Sequence, residues 1–178
     1  MAPSHFSGHD DVWYSDDGGA TYTVSKTNLT HMDEAQLVEL PDGTIMANMR
    51  NNQCKCQGVA LSKDGGASFS DVDYDHTLIS PVCDAAIIRG RNGGIYFANP
   101  ASTVGRENGV VRMSTDGVHW EKNMSVYTGL YGYSCLTNTA DQDVMGLLWE
   151  SGGPQCTGSG ASCRTLYTPF AASLSDEL

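Results

Sequence analysis

Five side chains in this sequence could act together: Tyr133, Glu34, Glu150, Arg50 and Arg106. A tyrosine with a glutamate close by makes a nucleophile with its own base. The free phenol has a pKa near 10, so a partner must take its proton at working pH. Two arginines aimed at one point suit a carboxylate or a phosphate, because each guanidinium donates two parallel hydrogen bonds. A neutral nucleophile fits an anionic sugar, since an attacking carboxylate would be repelled by the substrate's own charge. Glu34 precedes Arg50 by 16 residues and Tyr133 precedes Glu150 by 17. That is the run from the start of one strand, through a turn, to the end of its antiparallel neighbour, which returns both residues to one end of a sheet. Asp84 and Asn99 hold the equivalent places between these two pairs and are candidates to line the same pocket.

The elements that must position these groups are marked by a repeated turn. Ser15-Asp16-Asp17-Gly18-Gly19-Ala20-Thr21-Tyr22 recurs as Ser62-Lys63-Asp64-Gly65-Gly66-Ala67-Ser68-Phe69. It recurs again, one residue shorter, as Ser114-Thr115-Asp116-Gly117-Val118-His119-Trp120. Glycine supplies positive φ, short Ser and Asp side chains cap the turn's own N–H groups, and the closing aromatic is expected to plug between strands. These turns are read as structural. A period near 50 residues with short strands between turns points to an all-β chain, a β-propeller with four strands per blade.

In the second blade Leu37–Leu40 is the inner strand, Pro41-Asp42-Gly43 the turn and Thr44–Met49 the next strand, with Val59–Leu61 entering the turn motif. The third blade repeats this with Ala85–Ile88, Ile95–Ala98 and Val110–Met113, and the fourth with Cys135–Thr137 and Val144–Trp149. Arg106 falls in a loop of the third blade at the end where Glu34, Arg50, Tyr133 and Glu150 converge. After the polar Met1–Asp10, Val12-Trp13-Tyr14 is read as entering the third strand of a first blade whose first two strands are missing. At about 50 residues per blade, 178 residues hold about three and a half blades, fewer than a closed propeller needs. The chain therefore reads as one domain, 1–178, that is a piece of a longer propeller.

A net charge of −11 argues against nucleic acid or an anionic membrane as partner. Met1–Asp10 carries no apolar run of signal-peptide or membrane-span type. Of six cysteines, Cys54 and Cys56 flank one residue and Cys156 and Cys163 bracket a Gly/Ser-rich loop that a disulfide could close. Cys83 and Cys135 sit near strand starts and are expected to be buried. No C-x-x-C pair occurs and no histidine has a ligand-spaced partner, so neither zinc nor another metal or cofactor is expected. Asp71–Asp75 opens like a calcium loop but has His76 and Val82 where Gly and Glu belong. Asn28-Leu29-Thr30 and Asn123-Met124-Ser125 are glycosylation sequons, which tilt the reading toward the secretory pathway, with the cytoplasm as alternative. Ser175–Leu178 resembles an endoplasmic-reticulum retention signal.

The turn motif resembles the Asp-box of sialidases and other propellers, and longer segments carry a closer resemblance. Glu34–Gly43 followed by Asn48-Met49-Arg50 looks like the sialidase segment holding the helper Glu and second Arg. Phe97–Pro100 with Arg106 resembles that of the third Arg. Gly132–Leu136 followed by Gly146–Glu150 resembles the nucleophile segment and its trailing Glu. Arg50–Cys56 is similar to the lysosomal branch. The resemblance implies a six-bladed parent and an exo-α-sialidase that releases terminal sialic acid from glycans with retention of configuration. Tyr133 would be nucleophile and Glu34 its base. Arg50 and Arg106 would bind the substrate carboxylate, and Glu150 would support the arginine cluster. Glu39 and Gln36 are read as structural hydrogen-bonding residues. The family's first Arg and its acid/base Asp have no match before Ser15. A non-catalytic propeller that binds sialylated glycans, or an Asp-box scaffold for protein partners, are the alternatives.

Overall fold

The computed structural model describes residues 1–6, 9–152 and 163–174. Fourteen strands are described, in three sheets and with antiparallel pairing throughout. The first blade holds β1 (Ala2–Phe6), β2 (His9–Tyr14), β3 (Thr23–Val24) and β4 (Leu29–Thr30). The second is the meander β5 (Met32–Glu39), β6 (Ile45–Asn51), β7 (Cys56–Ser62) and β8 (Asp73–Ile79). The third has β9 (Ala86–Arg89), β10 (Ile95–Pro100) and β11 (Glu107–Ser114), closed by the first part of β12 (Trp120–Asn138). The rest of β12 pairs with β13 (Val144–Gly152), and β13 with β14 (Cys163–Ala171), to make the fourth. β12 is thus the outer strand of one blade and the inner strand of the next. Among the described residues no helix is long and apolar enough to cross a membrane.

The structure corrects the reading of the N-terminal segment. Ala2–Phe6 forms a strand that pairs with β2, so a paired strand precedes Val12-Trp13-Tyr14. Its polar composition hid it, because strands at the edge of a sheet need little apolar content.

Apolar residues form three clusters, each across a junction between blades. Val12 and Leu29 of the first blade meet Met32, Ala47, Met49 and Phe69 of the second. Val38, Met46 and Leu78 meet Ile87, Ile95, Phe97 and Trp120. Ala98 and Val111 meet Tyr131, Leu136, Leu147 and Trp149. Two closing aromatics pack against the preceding blade: Phe69 is buried in the cluster with Val12 and Leu29, and Trp120 packs on the cluster that holds Val38, Met46 and Leu78. Tyr22 departs from this expectation and is 56% exposed. Its turn belongs to the first blade, and among the described residues no earlier blade supplies a surface for it.

The turns close as their composition dictates. Ser15 Oγ accepts from Gly19 N at 2.8 Å, and Asp17 from Thr21 N at 2.9 Å. Ser62 and Asp64 repeat this with Gly66 and Ser68. In the shorter third turn the acceptors serve Gly117 and His119. These donors hold the Asp17 and Asp64 carboxyls down at about 2, first through Thr21 and Ser68 hydroxyls. Asp75, in the calcium-loop look-alike, accepts from Thr77 N and Trp120 Nε1, which fastens the second blade to the third. Both sequon asparagines are exposed, although Asn123 lies within β12 and not in a loop.

Candidate active site

Two β-bulges build the site. In the β5–β6 ladder Met32 faces Asn51 and Ala35 faces Met49, so Asp33 and Glu34 together oppose Arg50. In β12–β13 Tyr131 faces Ser151 and Ser134 faces Trp149, so Gly132 and Tyr133 together oppose Glu150. A bulge re-aims side chains that regular alternation would send elsewhere. It turns both Asp33 and Glu34 onto the Arg50 guanidinium: Nη1 lies 2.7 Å from Glu34 Oε2, and Nε 3.7 Å from Asp33 Oδ2. Glu34 was expected just before the inner strand and instead lies within it, on the bulge.

The Tyr133 hydroxyl donates to Glu34 Oε1 in a short hydrogen bond, across 99 residues of sequence. Arg50 Nη1 donates to the same phenol oxygen at 3.1 Å. The phenol oxygen is therefore held by a carboxylate on one side and a cation on the other. Arg106, in the β10–β11 loop, lies over the Tyr133 ring with its guanidinium carbon 5.1 Å from the centroid. Arg106 O accepts from Tyr131 N at 2.9 Å, which anchors that loop to β12. Glu150 Oε2 accepts from Tyr133 N at 3.2 Å. A side chain at residue 132 would meet that carboxylate at 2.7 Å, so Gly132 keeps the contact open.

Burial raises the Tyr133 pKa first, and the Glu34 hydrogen bond and charge add to it, against Arg50 and Arg106. Burial works against the charge of Arg50, but Glu34 and Asp33 outweigh it and the net shift is upward. A resting neutral phenol beside a fixed guanidinium is the consequence. Asp84 lines a cavity of about 340 Å³ with Gln36, Tyr133, Ser134, Trp149 and Glu150. Desolvation, then the Glu34 charge, raises its carboxyl to about 6.

Tyr133, Glu34, Arg50, Arg106 and Glu150 are thus brought together, and Asp84 joins them. Asn99 does not line the pocket as expected. It is fully buried, donating to Ile79 O at 2.8 Å and accepting from Arg112 at 3.2 Å, so its carboxamide is committed to the framework. Gln36 accepts from Ile87 N across the blade junction, and Glu39 is exposed. Asp33 is the residue that pattern reading missed; its only signal was adjacency to Glu34.

Of the two cysteines expected to be buried, Cys83 is and Cys135 is not. Cys54 and Cys56 are paired with each other, and Cys135 is exposed, while Cys83 is buried and its thiol is pushed up to about 11 by desolvation. Along the chain His76 has no ligand-spaced partner, yet the fold sets it beside Cys54 and Cys56. A pairing of Cys156 with Cys163, and the terminal Ser175–Leu178, lie outside the described residues.

Residues 4–147 match the family model of the BNR repeat-like domain. The chain is 37% identical over 150 residues to a sialidase of Micromonospora viridifaciens, over 78% of this chain and 23% of that one. Among solved structures, a Hadza microbial sialidase, Hz136, matches at 32% identity and a TM-score of 0.72, covering 80% of this chain and 30% of that one. A leech intramolecular trans-sialidase, complexed with 2,7-anhydro-Neu5Ac, matches at 26% identity and a TM-score of 0.78, covering 92% and 27%. The chain spans about a quarter of the length of the curated relatives it matches, between 21% and 28%.

Proposed function

Because the chain belongs to the family of BNR repeat-like domains, we propose that it carries the nucleophile and base of an exo-α-sialidase centre. Such a centre releases terminal sialic acid from glycoproteins, glycolipids or oligosaccharides. The observation that carries this reading is the Tyr133 hydroxyl bonded to Glu34 with Arg50 donating to both. Tyr133 Oη bonds to the anomeric carbon as the glycosidic C–O bond breaks, and the phenolic proton passes to Glu34. Arg50 and Arg106 pair with the substrate carboxylate, and the departing oxygen takes a proton from an acid outside these five residues. Water then attacks the anomeric carbon and gives its proton to the conjugate base of that acid, and the phenol leaves with the proton Glu34 holds. Two inversions give net retention. Exposed Asn28 and Asn123 and the Cys54–Cys56 disulfide support a secretory, lysosomal or extracellular location, with the cytoplasm as alternative.

A sialosyl fluoride with a second fluorine beside the anomeric carbon tests the reaction, because fluoride leaves without protonation and the second fluorine slows hydrolysis of the adduct. Peptide mass spectrometry should find one sialosyl group on the fragment containing Tyr133, and none in Tyr133→Phe. A label elsewhere, or equal labelling of the variant, would remove the nucleophile assignment. Binding of sialic acid through Arg50 and Arg106 without labelling would favour the second reading, a non-catalytic sialoglycan-binding propeller.

A further inference from the structure

Outside the candidate active site, one cluster of side chains has the composition of a metal centre. Cys54 Sγ, Cys56 Sγ and a His76 ring nitrogen lie within 4.8 Å of one another. They come from different places in the second blade. Cys54 and Cys56 stand where the β6–β7 loop enters β7, and His76 comes from β8. The β7–β8 register explains the meeting. Cys56 faces Ile79 and Gln57 faces Asp75, so His76, Thr77 and Leu78 have no opposing residues on β7. The extra residues bow β8 at the level of the cysteines. Leu78 turns into the core, and His76 stays exposed.

A second observation concerns the sulfurs. Asn51 is buried, and its side-chain N–H groups reach Cys54 Sγ at 2.9 Å and Cys56 Sγ at 3.5 Å. Its oxygen accepts from Gln53 N at 2.7 Å, which fixes the direction of the amide. A carboxamide donating to two sulfurs stabilises negative charge on them, as outer-shell donors do for metal-bound thiolates. Cys56 is buried, Cys54 half-buried and His76 exposed, so the cluster has a dry side and an open side.

We propose that reduced Cys54 and Cys56, with His76, form a site for a thiophilic divalent cation of the zinc type, with a fourth position open to water. Two thiolates and one imidazole are a donor set that zinc takes, and three protein ligands leave the tetrahedron incomplete. The disulfide and metal-bound states exclude each other. Reduction by a phosphine delivers two electrons to Cys54 and Cys56, water supplies the two protons, and the phosphine leaves as its oxide. Binding of the cation then releases the two thiol protons. Because Asn51 follows Arg50 on β6, occupancy fixes the chain next to that arginine. The site does not depend on the sialidase reading.

The test uses the 178-residue chain with Cys135→Ser, Cys156→Ser and Cys163→Ser, reduced with a phosphine under argon. Cadmium is titrated while the ultraviolet thiolate-to-cadmium band is followed, and zinc affinity is measured by competition with a chromophoric chelator. One cadmium per chain is expected, with a two-thiolate band that Cys54→Ser roughly halves. His76 is exposed, so His76→Ala should fold as the parent does by circular dichroism. It should keep the band and lower zinc affinity by at least about 10–100-fold. Absence of stoichiometric binding to the reduced chain, or equal zinc affinity in His76→Ala, would overturn the proposal.

Discussion

Asp84→Asn changes one charge in the site and keeps its shape, so its effect on stability can be worked from the structure. The Asp84 carboxyl is raised from 3.8 to about 6, by desolvation first and the Glu34 charge second. Between those values the folded chain holds a proton that the unfolded chain has released, so folding takes up a proton. Stability from this residue is therefore complete below about pH 4 and falls as pH rises to about 6. A shift of about two pH units sets a ceiling of about 3 kcal/mol. Asp84 is only partly buried, and solvent screening reduces this to about 1–2 kcal/mol. Asparagine has no proton to lose and can still accept from the Ala85 N–H. Asp84→Asn should match the parent at pH 4 and exceed it by about 1–2 kcal/mol at pH 7. For a chain of this size that is a rise in Tm of about 2–8 °C. Thermal unfolding of both proteins at half-unit steps from pH 4 to 7 measures the difference, and other carboxylates cancel in it. A difference that does not change with pH, or a variant less stable at pH 7, would refute the reasoning.

Four further outcomes follow from packing and from the phenol. Phe69→Ala should cost about 3–5 kcal/mol in urea unfolding, because the ring fills the first blade junction. Tyr22→Ala, at the equivalent place but exposed, should stay within about 0.5 kcal/mol of the parent. Gly109→Ala would set a methyl 1.9 Å from the fully buried Tyr131 ring, which is stacked on Trp149; a loss of about 3 kcal/mol is expected in the same assay. Glu34→Gln should lower the pH at which Tyr133 ionises, read as tyrosinate absorbance against a Tyr133→Phe blank. It removes the Glu34 charge, one of the causes that raise this phenol, and leaves Arg50 and Arg106, which lower it.

The cadence of the sheets was legible because turns punctuate it. Three copies of one turn motif, with Asp42-Gly43 and Asn92-Gly93 between strands, place the first three strands of the second and third blades to within a few residues. The candidate site was legible for a related reason: strand starts and ends can be counted from the turns. What could not be read depends on neighbours. Tyr22 fits the motif as well as Phe69 does, and only the blade beside it decides whether the ring is buried. Asn99 occupies the right register, but Ile79 and Arg112 claim its carboxamide. His76 meets Cys54 and Cys56 through an irregular strand pairing that no linear spacing encodes.

The bulges explain how one strand can serve both core and site. In a regular strand residues i and i+2 share a face. Met32 and Glu34 would then both enter the core or both leave it, and the same holds for Tyr131 and Tyr133. Neither outcome matches the structure, since Met32 and Tyr131 are among the largest fully buried side chains while Glu34 and Tyr133 are half-buried and bond to each other. An extra residue between each pair changes the alternation, and the strand delivers an apolar side chain to the blade junction and a polar one to the Glu34–Tyr133 hydrogen bond. The second and fourth blades use the same device with different residues: Asp33-Glu34 opposite Arg50, and Gly132-Tyr133 opposite Glu150. Repetition of one backbone irregularity brings a glutamate and a tyrosine, 99 residues apart, to a single hydrogen bond. The third blade, between them, contributes Asp84 to the pocket wall and Arg106 over the tyrosine ring. The sequence repeats set the blades side by side, and the bulges decide which of their side chains meet.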